Sequence, residues 1–304
     1  MEQQSFISIA LCTFNGEKYL AEQIESILTQ TYTNFELVIV DDGSTDETNA
    51  ISKAYADKDA RIKHFVNAHN LGFNKNFEKA LSLTTGSFIA ISDQDDIWEP
   101  NKLEVLLNTI GDNWLVCSNS AYVTESGEPT GRTLMGELNF GGRDFRSMLI
   151  MNFVTGHTCM LSRDFLPYIL PFPQKGYYDW WMGFIAIYHK KLAYANRVLT
   201  KYRMHATSVT NVDLRKDELA FKTIDLNNAL MMMGNFLTYI GLNNKDKHLI
   251  SKLKKAYALK LHQSYNITLI RLLSKHYHVI FPELKTRKLL SRLKFAFRYS
   301  KKLQ

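Results

Sequence analysis

This sequence predicts an α/β fold, a mainly parallel mixed sheet flanked by helices and followed by a C-terminal helical extension. Through the first hundred residues, short β-rich runs alternate with segments of helical spacing, which implies right-handed crossovers between parallel strands. Beyond about Leu214, glycine and β-branched residues thin out and helical spacing dominates. Polar clusters also stand where strands run out, and sheets of this kind take ligands beyond the carboxyl ends of their strands.

FISIALC over residues 6–12 reads as the first strand, and Tyr19 to Gln30 places Leu20, Ile24, Ile27 and Leu28 on one helical face. FELVIV over 35–40 is a second strand, closed by Asp41 and Asp42. GSTDET then makes a turn and helix start, with Ser44 or Thr45 as cap, and Ile51, Ala54 and Tyr55 continue that helix. RIKHFV over 61–66 is the third strand, Phe73 to Leu83 a helix with Asn70 as its cap, and SFIAIS over 87–92 the fourth strand. A further helix starts near Pro100, WLVCSNSAYV over 114–123 is extended, and a polar loop runs from Thr124 to Gly142. Arg143 to Phe153 has helical spacing, His157 to Ser162 is a short strand, residues 177–188 a helix, and 192–205 two short strands. A boundary near residues 210–214 separates a domain of residues 1–212 from a helical region of residues 213–304, in which Met231 to Met233 read as core filler.

With 45 % hydrophobic and 22 % charged residues, the chain is composed as a globular protein, not a disordered one. It has no apolar run of 18 residues, the length a membrane-spanning helix needs. The start, MEQQSFISIALCTF, lacks the basic and apolar regions of a secretory leader. Cys12, Cys117 and Cys159 are odd in number without a CxxC, which points to free thiols and a cytoplasmic location. The net charge of +7 is concentrated: Lys285 to Gln304 holds eight basic residues and no acidic one.

Asp93-Gln94-Asp95 is a DxD at the end of a buried strand, and alternation along an extended chain puts both carboxylates on one side. Carboxylates combined with diphosphate oxygens suit Mg²⁺ or Mn²⁺. Such a metal would neutralise a departing diphosphate. By itself DxD is a weak signal, common in acidic loops and helix starts, and its other reading is Asp95 or Asp96 capping the next helix. Asp42 faces a ligand or closes a turn. Thr13, Phe14 and Asn15 add an aromatic ring and small polar groups near the same edge.

These residues carry a family resemblance. SIALCTFNGEKYLAEQIESILTQTYTNFELVIVDDGSTDET resembles the opening of glycosyltransferase family 2, and SDQDDIWEPNKL resembles the metal-binding segment of a bacterial branch with rhamnosyltransferase-like and polysaccharide-building enzymes. TGHTCML, YYDWW and YRMHATSVT resemble three later segments in the family's order, so the resemblance covers residues 5 to 210. It implies the GT-A fold and an inverting hexosyl transfer, dependent on Mn²⁺ or Mg²⁺, from a nucleotide-diphosphate donor (a UDP- or dTDP-sugar) to a glycan or lipid-linked acceptor. Residue by residue, it assigns Thr13, Phe14, Asn15 and Asp42 to the nucleotide, with Phe14 stacking on the base. Asp93 falls to ribose and metal, Asp95 and His205 to the metal, Asp179 to the general base, and Trp180 to the acceptor side. Asn67 and Lys75 lie in a loop that faces the nucleotide in related enzymes. Many relatives place a second acidic residue or histidine before the base, whereas this chain has Tyr178.

One carboxylate within about 3 Å of the acceptor hydroxyl suffices for a single displacement that inverts the sugar. Two other classes of function compete. A nucleotidyltransferase would bring a glycine-rich phosphate loop, absent here, and a non-catalytic binding module would not need Asp93, Asp95 and Asp179 together. In the tail, Leu289, Leu293, Ala296 and Phe297 form an apolar stripe beside the basic residues. That pattern lies on an anionic membrane surface, here the inner face of the cell membrane, or packs on the protein. Charge confined to one segment without interleaved aromatics argues against nucleic acid.

Overall fold

The computed structural model describes residues 4–136, 143–205, 226–260, 262–263, 266–282 and 288–302. The chain gathers into two compact units: Met1–Gly136, Val154–Gln174 and His189–Val212 form one, and Glu137–Phe153, Lys175–Tyr188 and Asp213–Gln304 the other.

In the first unit the strands are β1 (Ile7–Thr13), β2 (Phe35–Asp41), β3 (Ile62–Val66), β4 (Phe88–Ser92), β5 (Ile97–Trp98), β6 (Leu115–Val123), β7 (Pro129–Thr133), β8 (Cys159–Ser162) and β9 (Leu192–Arg203). The helices between them are α1 (Leu20–Leu28), α2 (Thr48–Ala56), α3 (Phe73–Leu83), α4 (Lys102–Ile110) and the short α5 (Leu166–Ile169). The strands make one mixed sheet in the order β3-β2-β1-β4-β8-β6-β9-β5, with β7 on β6. The β3-β2-β1-β4 half is parallel, whereas β8 joins β4 and β6 antiparallel. Every residue of β2 is buried, as expected of a parallel strand covered on both faces, and its apolar run Leu37–Val40 is continuous rather than alternating.

Two segments differ from the sequence-based expectation. Residues 192–205 hold one long strand, because β9 pairs with β6 along its length. Its register jumps from Ser118↔Ala195 to Asn119↔Val198, so Asn196 and Arg197 form a bulge that imitates a break in the pattern. Arg143 to Phe153 contains only a 3-10 turn, Phe145–Met148, which Asp144 starts by accepting the Arg146 amide at 2.9 Å. The caps also differ. Gly72 precedes α3, with Asn70 Oδ1 accepting its amide, and Asn101 precedes α4, so neither Asp95 nor Asp96 caps that helix.

The second unit holds α6 (Tyr178–Tyr188), α7 (Leu226–Thr238), α8 (Asn244–Lys260), α9 (Ile267–Lys275), α10 (Tyr277–Ile280) and α11 (Leu289–Lys302). A division of the chain at residue 212 leaves α6 with the strands, yet α6 belongs to this unit. The reason is its composition: Tyr178 and Trp180 to Ile187 are all buried, and a helix apolar on every side must be covered by other helices. Phe184 stacks on Phe236 of α7 at 3.9 Å, and Trp181 meets Phe236 and Tyr239, beside the buried Met232 and Met233. The expected stripe of α11 is divided. Ala296 is fully buried, and Phe295 and Tyr299 join Tyr277 and Phe281 in an aromatic cluster, while Leu289, Leu290 and Phe297 are exposed. No helix of the described residues is long and apolar enough to cross a membrane.

Candidate active site

The parallel register brings the ends of β1, β2 and β4 side by side, with Thr13 opposite Asp41 and Leu11 opposite Ser92. Thr13 Oγ1 donates to Asp41 Oδ1 at 3.0 Å, and both residues are buried. Asn15, at φ +48°, accepts the Thr45 amide at 2.9 Å and donates its own amide to Ser44 Oγ. Ser44 in turn donates to Asp41, so it locks this loop instead of capping α2. Gln94, the middle residue of the DxD, brackets the backbone of Phe14, accepting its amide at 2.7 Å and donating to its carbonyl at 3.1 Å. A Cβ on Gly16 would stand 2.3 Å from the Gln94 carboxamide, so this approach requires glycine. The Phe14 ring is 44 % exposed on the rim of this edge.

Asp42 is 2 % exposed and shapes the adjoining loop. Its Oδ1 accepts from Asn67 Nδ2 and the Leu71 amide, and its Oδ2 from the Gly72 amide. Asn67, also buried, bridges Asp42 and Asn76 and accepts from Lys79 at 2.6 Å. Lys75 pairs with Glu78 on the same helix.

At the end of β4 the acidic segment is split between two imidazoles. Asp95 Oδ2 lies 2.8 Å from His205 Nε2, and Asp93 Oδ2 lies 3.8 Å from His157 Nδ1. Asp93, Asp96 and His157 have ligand atoms within 4.8 Å of one another. Asp96 is fully buried and its Oδ2 has no hydrogen-bond partner. Burial, reinforced by Asp95 and Asp93, raises its carboxyl well above the usual range. Burial lowers the Lys102 ammonium to about 7 against the pull of Asp96. Burial and Lys102 lower His157 to about 3, so its imidazole is neutral, the form that binds metals. His157 Nε2 lies 3.1 Å from Ser120 Oγ and its ring stacks on Tyr202, while Lys102 donates to the His157 carbonyl at 2.6 Å. An orphaned carboxylate oxygen, a second carboxylate and a neutral, oriented imidazole fit a divalent cation such as Mn²⁺.

In the second unit, Asp179 stands in the first turn of α6, where a negative charge is favoured by the helix dipole. Its Oδ1 accepts from Asn152 Nδ2 at 3.1 Å and from the Trp180 amide. Trp180 is 6 % exposed and donates its indole N–H to the Met148 carbonyl, which gives it a packing role in the same unit.

The family described as Glycosyl transferase family 2 matches residues 8–170, more than half of the chain. The chain belongs to glycosyltransferase family 2. An uncharacterized glycosyltransferase of Haemophilus influenzae is 34 % identical over 123 residues, which is 40 % of this chain but only 38 % of that one. The UDP-Glc:alpha-D-GlcNAc-diphosphoundecaprenol beta-1,3-glucosyltransferase WfgD of Escherichia coli is 28 % identical over 246 residues, 80 % of this chain and 94 % of that one. Among solved structures, the mannosyltransferase PcManGT of Pyrobaculum calidifontis, in complex with GDP-Man and Mn²⁺, superposes with a TM-score of 0.58 at 14 % identity, covering 99 % of this chain and 86 % of that one. That likeness shows the expected GT-A fold.

Within this family 2 chain, the sequence assigned no role in the site to His157, Asp96, Lys102 or Arg203. Arg203 is 2 % exposed and ties four pieces together. Its amide donates to Asp96 Oδ1, its Nε to the Asp95 carbonyl, its Nη1 to the Glu125 carbonyl and its Nη2 to Glu22. It also lies over the ring of Tyr19, which meets His205 at 4.9 Å. The available signal was its place two residues before His205 at the end of a strand. Arg203→Lys keeps the charge but cannot span these acceptors. We expect it to weaken Mn²⁺ or donor binding about 10-fold or more, the range seen when supports of ligating groups are lost. Calorimetric titration with matched circular dichroism checks this, and unchanged affinity would show that the loop holds without Arg203.

Proposed function

We propose that this family 2 chain is an inverting, metal-assisted hexosyltransferase that moves a sugar from a UDP- or dTDP-sugar to a glycan or lipid-linked acceptor in bacterial cell-surface polysaccharide synthesis. The observation that carries the reading is the sheet edge itself, where Gln94, between Asp93 and Asp95, brackets the backbone of Phe14. The name of WfgD gives it a UDP-glucose donor and a diphosphoundecaprenol-linked acceptor, which supports the choice of substrates.

In this reading Phe14 stacks on the base, Thr13 and Asn15 shape its rim, and Asp42 and Asn67 hold the loop beside it, with Lys75 at the periphery. Asp93 faces the ribose. Asp95 and His205 hold the divalent cation, and the bound cation supplies Lewis-acid stabilisation of the leaving diphosphate. The close grouping of Asp93, Asp96 and His157 favours a second seat for that cation. Asp179 takes the proton from the acceptor hydroxyl, with Asn152 orienting its carboxylate and Trp180 packed behind it on the acceptor side.

The deciding experiment is a screen of nucleotide sugars for metal-dependent release of free nucleotide, followed by transfer to a diphosphate-lipid acceptor analogue. Release of nucleotide that needs both donor and cation supports the transferase. Donor binding without turnover would indicate a binding module, and nucleotide incorporation into product a nucleotidyltransferase. The basic tail adds a peripheral contact with the inner face of the membrane, made through the exposed Leu289, Leu290 and Phe297 beside Lys294 and Arg298. Because α11 also covers Tyr277 and Phe281, point substitutions are a better probe of this contact than truncation at Pro282.

A further inference from the structure

Charge is segregated along this chain far beyond its last twenty residues. Residues 226–304 contain sixteen lysines and arginines and two acidic residues, whereas residues 1–225 contain twenty-one and twenty-eight. On α8 the exposed positions His248, Ser251, Lys252, Lys255 and Leu259 share one helical face, at the spacing of successive turns. Together with Thr268 of α9 this face lines a groove of about 430 Å³. The groove's floor includes Ala256, and among the described residues no acidic side chain lines it. Its single acidic neighbour on α8, Asp246, accepts from Asn243 and from the Tyr188 hydroxyl instead. Beside the cationic and hydroxyl groups stand apolar side chains, Leu259 at 41 % exposure on the wall and Ile267 at 56 % next to Thr268.

We propose that this α8–α9 groove is a binding site for the phosphate headgroup of an anionic lipid, and that it docks the helical unit on a bilayer. The chemistry selects this partner. Two ammonium groups, an imidazole and two hydroxyls supply charge and donors for a phosphate diester. Exposed Leu259 and Ile267 gain only from a partner that offers hydrocarbon next to that phosphate, which an inorganic ion or a soluble nucleotide does not. A nucleic-acid strand would require aromatic platforms, and among the described residues no Phe, Tyr or Trp lines the groove. The site is separate from the sheet-edge residues, so it stands or falls independently of the transferase reading. It is also distinct from the exposed face of α11.

The test uses the full chain and sedimentation with phosphatidylcholine vesicles, with and without phosphatidylglycerol. The intact protein should bind the phosphatidylglycerol vesicles at low salt and release as salt rises. Lys252→Glu combined with Lys255→Glu should weaken that binding at least about tenfold, since each basic residue at the surface contributes separately. Nucleotide release in solution should be unchanged. Leu259→Ser, which keeps the charge, should weaken binding at salt concentrations where electrostatics are screened. Lys252→Gln with Lys255→Gln, at unchanged circular dichroism, guards against misfolding of the charge-reversal variant. A Leu289→Ser, Leu290→Ser chain tests α11 in the same assay, and its residual binding should remain sensitive to Lys252 and Lys255. Equal binding to both vesicle types would overturn the proposal. So would vesicle binding unaffected by the lysine variants, or inorganic phosphate binding the groove in titrations while vesicles do not.

Discussion

Asp95→Ala should reduce turnover by about 10³-fold or more while leaving the fold intact, because in the proposed mechanism several kcal/mol of leaving-group stabilisation depend on a cation held by Asp95. The fold should survive because Asp95 is anchored by its backbone: Arg203 Nε donates to its carbonyl, and that contact does not involve the carboxylate. The carboxylate itself makes the 2.8 Å contact with His205, so the variant removes that contact and puts no charge in its place. Two further variants decide where the cation sits. If Asp95 and His205 hold it, His205→Ala should weaken Mn²⁺ binding and His157→Ala should not. The reverse result would move the seat to Asp93, Asp96 and His157. Full activity in excess chelator, with metal removal verified, would remove the cation from the mechanism altogether.

Asp179→Asn should lower turnover by at least about 10²-fold with donor affinity retained, the usual loss when a general base is removed. Asparagine keeps the shape, and its carbonyl oxygen can still accept from Asn152 and from the Trp180 amide. What it cannot do is take a proton. The packing beneath it is independent of its charge, since Trp180 is held through its indole N–H on the Met148 carbonyl. A variant with normal turnover and weakened donor binding would make Asp179 a binding group. The stereochemistry of the product gives an independent measurement. A single displacement inverts the anomeric carbon, so a retained configuration in the NMR spectrum of the product would exclude the proposed mechanism.

Much of the strand half was legible because each of its signals is local. Ile9–Cys12 and Leu37–Val40 are continuous apolar runs closed by polar residues, which a parallel strand buried on both faces favours. Phe73–Leu83 is bounded by Gly72 before it and Thr84 after it. The placement of Thr13, Asp41 and Asp93 at one edge followed from the direction of parallel strands, with no knowledge of any contact. The two-residue β5 was too short to show a period, and β7, with PTGRT and mostly exposed residues, resembles a loop in composition.

The sequence by itself therefore determined the alternation of elements, the edge at which polar clusters collect, and the family. Those properties depend on residue type and spacing along the chain. Only the tertiary structure decided that α6 joins the helical unit, that α11 buries Ala296 and Tyr299 while exposing Leu289, and that Asp93 and Asp95 part toward different histidines. It also decided that Arg203 of β9 bonds Asp95 and Asp96, which precede it by more than a hundred residues. The physical reason is the same in each case. A buried polar group must find a partner wherever the fold supplies one, and an all-apolar helix must be covered by whichever surface packs against it. Neither partner is encoded in the neighbouring residues.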